Sequence, residues 1–428
     1  MPSIRPFKGI IYNKKKIADA SKVVAPPYDV ISAKMQDELY KKHANNVVRL
    51  ILGKINNTDS ESDNRYTRAR DFFKIWLNED ILIEDEEPSI YIYSQKYKYS
   101  GKSIERFGFI SLMELDLENK GSVLPHENTL AKPKADRLNL MRSVNANLSP
   151  IFMLYSDSSH KVAATLKNFS KKSKPFIDIN ADGVRNRVWK LSNPAAIERI
   201  EKFMADKNIF IADGHHRYET AVNYAKELEN RPDAWKELKD NSKYFMGYFC
   251  EIDDRTLTIL PTHRVIKDMG NLKKEDIIKR LKNFFAVEKI ASGPRLLKRL
   301  SALKKSHAFG MYLGKKEFYA ITLKKEGSVI AMMGKNSRDW KSLDVAILHL
   351  FILQNLLRIR DEDDNIEYVK DPEEALGLVS GGRFKTAFLL NPTKVEQVKK
   401  VAQHGEKMPK KSTYFYPKPL SGLVIRKM

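Results

Sequence analysis

The run Ile209-Phe-Ile-Ala-Asp-Gly-His-His-Arg-Tyr-Glu-Thr-Ala221 narrows what this chain can be more than any other stretch. The apolar residues of Asn208–Ala212 read as a short buried strand. Asp213-Gly214 then breaks the strand, and a helix follows. Its apolar face takes Tyr218, Ala221, Val222, Ala225 and Leu228 at 3.6-residue spacing. Asp213 is placed to cap that helix, and Gly214 permits a tight turn with close backbone approach. A strand–turn–helix unit of this kind belongs in a mixed α/β chain.

The same turn carries chemistry. Amide groups at a helix start bind phosphate, and the helix dipole favours its charge. His215, His216 and Arg217 fall in the first helical turn, where few purely structural needs call for two histidines and an arginine together. Arg217 can grip a phosphate bidentately, and either histidine can donate a hydrogen bond to it. Zinc fits less well. No H-E-x-x-H motif occurs, and although His215 and Glu219 share a helix face, no third ligand is evident.

A second segment, Leu124-Pro-His-Glu-Asn-Thr-Leu-Ala-Lys-Pro-Lys-Ala-Asp-Arg-Leu138, has related composition. Pro133 suits the first turn of a helix running through Leu140, Met141 and Val144. His126, Glu127, Asn128 and Thr129 precede it as a loop, while Lys132, Lys134 and Arg137 place cations around its start. A carboxylate, an imidazole and several cations match what phosphoryl transfer needs: a base for the acceptor hydroxyl and charge on the migrating group. Without a ligand, the same residues would be an ordinary basic helix start. Pro261-Thr-His-Arg264 adds a further His-Arg pair, and Met408–Leu420 mixes lysines, hydroxyls and aromatics.

Common nucleotide cradles are missing. Gly101-Lys102-Ser103 resembles the end of a phosphate-binding loop, but Lys96 stands where its first glycine is required, and the triplet lies in a hairpin turn between Tyr91–Tyr99 and the strand that follows. Neither a G-x-G-x-x-G loop nor the protein-kinase motif set appears.

Composition sets outer bounds. Lys and Arg number 76 against 54 Asp and Glu, a net charge of +22, which raises nucleic acid as a partner. The lysines are spread along all 428 residues, often beside glutamate, and no basic arm or recognition helix stands out. Most of the charge therefore reads as a solvated surface. The single cysteine, Cys250, excludes a disulfide scaffold and cysteine-rich metal sites, and its apolar surroundings predict a buried, inert thiol. The absence of a long apolar run, together with the start MPSIRPFKGI, predicts a cytoplasmic protein.

Strands and helices alternate without strict period, which favours mixed α/β or α+β architecture. Helix is expected over Tyr66–Leu77 and Leu343–Leu357, and strands over Ser89–Leu115, Ile151–Tyr155, Ala308–Tyr312 and Glu317–Leu323. Ile277–Leu303 reads as a basic amphipathic stretch broken at Ser292-Gly293-Pro294. Three regions are expected: 1–158 with the His126–Arg137 segment, 159–268 with the Asp213–Arg217 turn, and a C-terminal α/β region over 269–428.

Asp213-Gly-His-His-Arg217 after a strand resembles the phosphate-binding signature of the ParB/sulfiredoxin-like superfamily, which includes free-serine kinases. Arg5-Pro-Phe-Lys-Gly9, Ala25-Pro-Pro-Tyr-Asp-Val-Ile31, His126-Glu-Asn-Thr129, Pro133–Arg137, Ser149-Pro-Ile-Phe152, Ala212–Ala221, Leu343-Asp-Val345 and Met408–Leu423 together resemble a domain-of-unknown-function family. Its members have been assigned as pyrophosphate-dependent L-serine kinases. The resemblance implies a ParB/sulfiredoxin-like core with added N- and C-terminal α/β regions. It also implies transfer from pyrophosphate to free L-serine with Mg²⁺, giving O-phosphoserine and phosphate.

Pyrophosphate has no base or ribose, so a small cationic pocket suffices. The expected phosphate-binding set is Gly214, His215, His216, Arg217, His126, Lys132, Lys134 and Arg137. Asp213 or Glu127 would take the hydroxyl proton, with His216 assisting at the phosphoryl and Asp213 also a metal ligand. Arg264 or Lys411 would pair with the serine carboxylate. The remaining readings are an ADP- or ATP-dependent kinase of serine or another small hydroxyl, and a ParB-like nucleic-acid-binding or regulatory protein.

Overall fold

The computed structural model describes residues 3–359 and 365–428. The chain packs as two units. One comprises Met1–Leu124, Thr129–Thr258 and Pro417–Met428, and the other Pro125–Asn128 and Ile259–Tyr416. Strand pairing runs across the 158/159 limit drawn from sequence, which is why three consecutive regions do not emerge.

The first unit is built on a nine-stranded sheet. Its strands are β1 (Ile4–Arg5), β2 (Ile90–Tyr99), β3 (Lys102–Glu114), β4 (Val123–Leu124), β5 (Ile151–Tyr155), β6 (Ile177–Ala181), β7 (Val184–Leu191), β8 (Ile209–Asp213) and β9 (Tyr244–Glu251). Their spatial order is β4-β8-β5-β9-β3-β2-β7-β6, with β1 pairing β3. The β8–β4 and β9–β5 pairs are parallel and the others antiparallel. The tyrosine-rich hairpin turns at Ser100-Gly101, both at positive φ, in agreement with the sequence pattern.

Long helices complete this unit: α1 (Arg65–Asn78), α2 (Ala131–Val144), α3 (Lys161–Lys172), α4 (Pro194–Met204) and α5 (His215–Glu229). Asn64 caps α1 reciprocally with Thr67, and Asn193 caps α4, whose first residue is Pro194. Side chains from β3, β5, β8 and β9, including Phe109, Met153, Ile211 and Phe249, form one core with Tyr218, Ala221 and Ala225 of α5. A second cluster packs Val47, Val48, Leu50 and Trp76 with Ile425 from the C-terminal segment. Ile425 also bridges to Ile10, which ties that segment into this unit. Cys250 on β9 is buried, and burial pushes its thiol up to about 11, so it is inert while folded.

The second unit carries a six-stranded sheet of β10 (His263–Ile266), β11 (Phe285–Ile290), β12 (Ala308–Tyr312), β13 (Phe318–Leu323), β14 (Ile366–Val369) and β15 (Thr386–Leu390). All its pairs are antiparallel, in the order β11-β13-β12-β15-β10-β14. The amphipathic stretch from Ile277 resolves into α6 (Lys274–Lys282), then β11, then α7 (Gly293–Ala302). The apolar helix expected over Leu343–Leu357 is largely a π-helix over Ile347–Leu356, and Leu357 N–H reaches back five residues to Ile352 O at 2.9 Å. The molecule is thus mixed α/β, as expected. Among the described residues, no helix is long and apolar enough to cross a membrane.

Candidate functional site

Strand β8 delivers its buried apolar residues to the core and pairs antiparallel with β5, with a register shift between Ile211 and Asp213. Gly214 follows at φ +94° and ψ 29°, a left-handed conformation that a side chain disfavours. The first bond of α5 runs from Tyr218 N–H to Gly214 O at 2.9 Å, so the amides of residues 215–217 precede the helix's own ladder.

The cap position corrects one expectation. Gly214, not Asp213, is the residue at the helix boundary, and it offers no side-chain cap. The Asp213 carboxylate is committed to cations instead. Its Oδ2 accepts from Arg217 Nη2 at 2.8 Å, and its Oδ1 pairs with Lys418 Nζ. Lys418 Nζ also meets Asp29 Oδ2 at 2.7 Å, and its side chain is 8% exposed. Burial alone would depress the lysine ammonium. The Asp213 and Asp29 charges, with their hydrogen bonds, more than reverse this and hold it well above the usual lysine range.

Arg217 spans the turn. Its Nη1 donates to Pro150 O at 2.5 Å, while its guanidinium lies over Gly214 so closely that a Cβ there would sit 2.9 Å from Nε and Nη2. The Nε group is buried and, among the described residues, has no hydrogen-bond partner. An unsatisfied charged donor in a buried place is costly and calls for an explanation.

The other face of the α5 start docks on α2. Leu130 N–H donates to His216 Nε2 at 2.9 Å, which places the His216 proton on Nδ1. Thr129 donates its hydroxyl to Glu219 Oε2, and Lys134 Nζ pairs with the same oxygen at 3.0 Å. His215 is buried and Lys132 is exposed. Arg137 is 7% exposed; it donates to Ile51 O at 2.7 Å, pairs with Asp136, and lies over the Tyr28 ring at 3.9 Å. Arg137 and Arg217 nevertheless share one cavity of about 60 Å³, also lined by Tyr28, Asn147 and Ser149.

The remaining expected residues lie in the second unit. His126 is buried with Nε2 at 3.0 Å from Thr413 Oγ1, and its carbonyl accepts from Met408 N–H at 2.7 Å. Glu127 Oε1 accepts from Lys411 N–H at 2.8 Å, with Lys411 at φ +54°. Arg264 is 0% exposed. Its guanidinium donates to His349 Nε2 at 2.8 Å and to the carbonyls of Thr262, Lys410 and Lys411, and it lies over Tyr368. So placed, Arg264 is buried and holds main chain.

Asp29 and Lys418 join the Asp213 turn without having been singled out by sequence reasoning. Asp29 stands within Pro26-Pro27-Tyr28-Asp29, and Lys418 within Pro417-Lys418-Pro419, two rigid loops whose proline content is the one available signal. Among the described residues, no group of three or more His, Cys, Asp or Glu is arranged to hold a metal. Both Asp213 oxygens are already ion-paired, so a divalent cation fits here only as the companion of a phosphorylated ligand, whose oxygens supply most of its ligands.

A left-handed glycine, a long helix start and two cations on one carboxylate come together on a mixed α/β scaffold. The chain belongs to the family described as protein of unknown function (DUF1015), whose model matches residues 4–346. Among solved structures, a conserved hypothetical protein from Pyrococcus furiosus is 14% identical with a TM-score of 0.34, over 72% of this chain and 92% of that one. A free serine kinase variant in complex with ADP is 12% identical with a TM-score of 0.36, over 72% and 87%. SbnI with a C-terminal truncation, from Staphylococcus aureus, is 10% identical with a TM-score of 0.34, over 72% and 85%. These likenesses are distant. No curated protein sequence matches the chain.

Proposed function

We propose that this protein is a phosphotransferase that moves a phosphoryl group from inorganic pyrophosphate to the hydroxyl of free L-serine. The serine Oγ–P bond forms, the bridging P–O bond of pyrophosphate breaks, and orthophosphate leaves. The observation that carries this reading is the buried Arg217 guanidinium, laid over the left-handed Gly214 turn with Nε lacking a protein acceptor among the described residues. It supports an oxyanion site at the start of α5, where the backbone and helix dipole act together.

In this reading Arg217 and the first-turn amides of α5 hold the transferred phosphoryl, with His216 held beside it by Leu130 N–H. Asp213 lies in the same turn and pairs with Arg217 and Lys418, and it is the first choice to take the hydroxyl proton once a bound phosphoryl draws those cations away; Glu127 is the alternative. The cavity that Arg137, Arg217, Asn147 and Ser149 share with apolar residues such as Leu140 and Phe245 is small. Mg²⁺, bound with pyrophosphate, would neutralise its charge. Catalysis then consists of positioning and electrostatic stabilisation.

The test is direct. Purified protein is incubated with L-serine, Mg²⁺ and either pyrophosphate, ADP or ATP, and O-phosphoserine is measured. Formation with pyrophosphate supports the proposal. Formation only with ADP or ATP moves the donor assignment to a nucleotide, and formation with none rejects the kinase reading.

A further inference from the structure

Lys418 lies beyond the residues that the family model matches, yet it is part of the first unit and reaches the Asp213 turn. We infer that Lys418 is a second phosphoryl-binding cation of this site, delivered by the C-terminal segment and held in place by a buried arginine on the central sheet.

Asp213 presents one oxygen to Arg217 and the other to Lys418. One carboxylate therefore holds two cations, one on each oxygen, and a phosphoryl group likewise offers several oxygens on one central atom. Asp29 adds a second contact to Lys418, so the four side chains sum to no net charge before an anion enters. Buried ion pairs of this kind cost desolvation and are weak stabilisers, so a stability role alone explains them poorly.

The backbone around Lys418 is gripped with equal care. Arg106 on β3 is 1% exposed and donates to Gln95 Oε1 and to Pro417 O. Gln95 Nε2 in turn donates to Lys418 O at 3.1 Å, and Leu420 N–H donates to Tyr93 Oη at 3.4 Å. The Arg106 guanidinium also lies 4.7 Å over the Phe152 ring of β5, the strand that pairs with β8. Arg106 holds the Pro417 carbonyl directly and orients Gln95, which holds the Lys418 carbonyl, and together they fix where the Lys418 side chain begins. Arg106 is thus a positioning residue, and Lys418 the group that meets the ligand.

This inference rests on the phosphotransferase reading for its chemistry, but pyrophosphate binding tests it separately. The expected result is that Lys418→Ala weakens pyrophosphate binding, measured by calorimetry on the full chain, at least tenfold and lowers turnover at least a hundredfold. Ethylammonium added to Lys418→Ala restores turnover at least tenfold and leaves the wild type unchanged. Lys418→Arg, which keeps the charge and both carboxylate pairs, retains the fold by circular dichroism and raises KM for pyrophosphate while sparing that for serine. Arg106→Lys shifts the same constant in the same direction. If Lys418→Ala fails to fold, the Lys418→Arg constants decide. Unchanged pyrophosphate affinity in a folded Lys418 variant overturns the inference, even if the wild type proves to be an active kinase. Wild-type protein that binds pyrophosphate through Lys418 but makes no O-phosphoserine overturns the reaction and keeps the site.

Discussion

Arg217 and Asp213 form a 2.8 Å ion pair one helical turn apart, across a glycine whose missing Cβ is filled by the guanidinium itself. Both residues are largely buried, so the pair holds its geometry rather than exchanging with solvent. Arg217→Ala removes the cation whose Nε lacks a protein partner among the described residues, and turnover should fall at least about a hundredfold, as when an anchoring charge is lost from a transition-state site. Arg217→Lys keeps charge but not the fork and should recover only part of the loss. Steady-state kinetics check both, and near-wild-type turnover in Arg217→Ala would reject the phosphate-site placement.

Gly214 offers a second test of the same turn. Alanine there meets φ +94° and a contact of 2.9 Å to Arg217. The left-handed backbone costs about 1–2 kcal/mol, and the clash pushes the guanidinium off the turn. Thermal unfolding should register the first effect, and kinetics the second as a tenfold or greater loss. A Gly214→Ala variant that is destabilised but fully active would show that Arg217 need not lie there.

Variants of Asp213 and Glu127 test which carboxylate the proposed reaction uses as its base. Loss of a general base typically costs a factor of about 10²–10⁴. Asp213→Asn is expected in that range, with Glu127→Gln showing a smaller effect on turnover. The reverse order would transfer the role to Glu127.

Acid stability should be set in the second unit. Burial first, and then the Arg264 charge, push His263 down to about 4 and His349 to about 3, with Lys410 adding to the effect on His349 and Asp371 opposing it on His263. Unfolded histidine titrates near 6.5, so as pH falls the unfolded chain takes up these protons first. The stabilisation is therefore complete above about pH 6.5 and lost as pH falls toward 4, at about 1.4 kcal/mol per pH unit for each histidine. Chemical denaturation between pH 8 and 4 should show that slope. His349→Gln, which keeps an acceptor for Arg264, should reduce it by about half, and an unchanged slope would contradict the assignment.

Local sequence carries part of this structure and not the rest. The β8–Gly214–α5 unit is legible because apolar spacing switches at Asp213-Gly214, and the β2–β3 hairpin because tyrosines flank Ser100-Gly101. The partner of Asp213 is not legible, since Lys418 lies 205 residues away and pairing at that range leaves no periodic trace. Asp213 also looks like a helix cap because its residue type favours that position, but a left-handed Gly214 takes the boundary and frees the carboxylate for cations. Strand β11 is hidden because Phe285–Ile290 mixes charged and apolar residues inside a basic stretch, where strand and helix periods are hard to separate. Arg264 beside His263 reads as a partner for the serine carboxylate, whereas β10 runs through the interior and turns the guanidinium onto main-chain carbonyls.

In the proposed reaction, two cations at the start of α5 hold a phosphoryl group passing from pyrophosphate to serine. ³¹P NMR of the protein with pyrophosphate, L-serine and Mg²⁺ follows that transfer. Each pyrophosphate consumed should yield one O-phosphoserine and one orthophosphate, and consumption should stop without serine. Two orthophosphates per pyrophosphate, or no change in the spectrum, would overturn the proposed reaction.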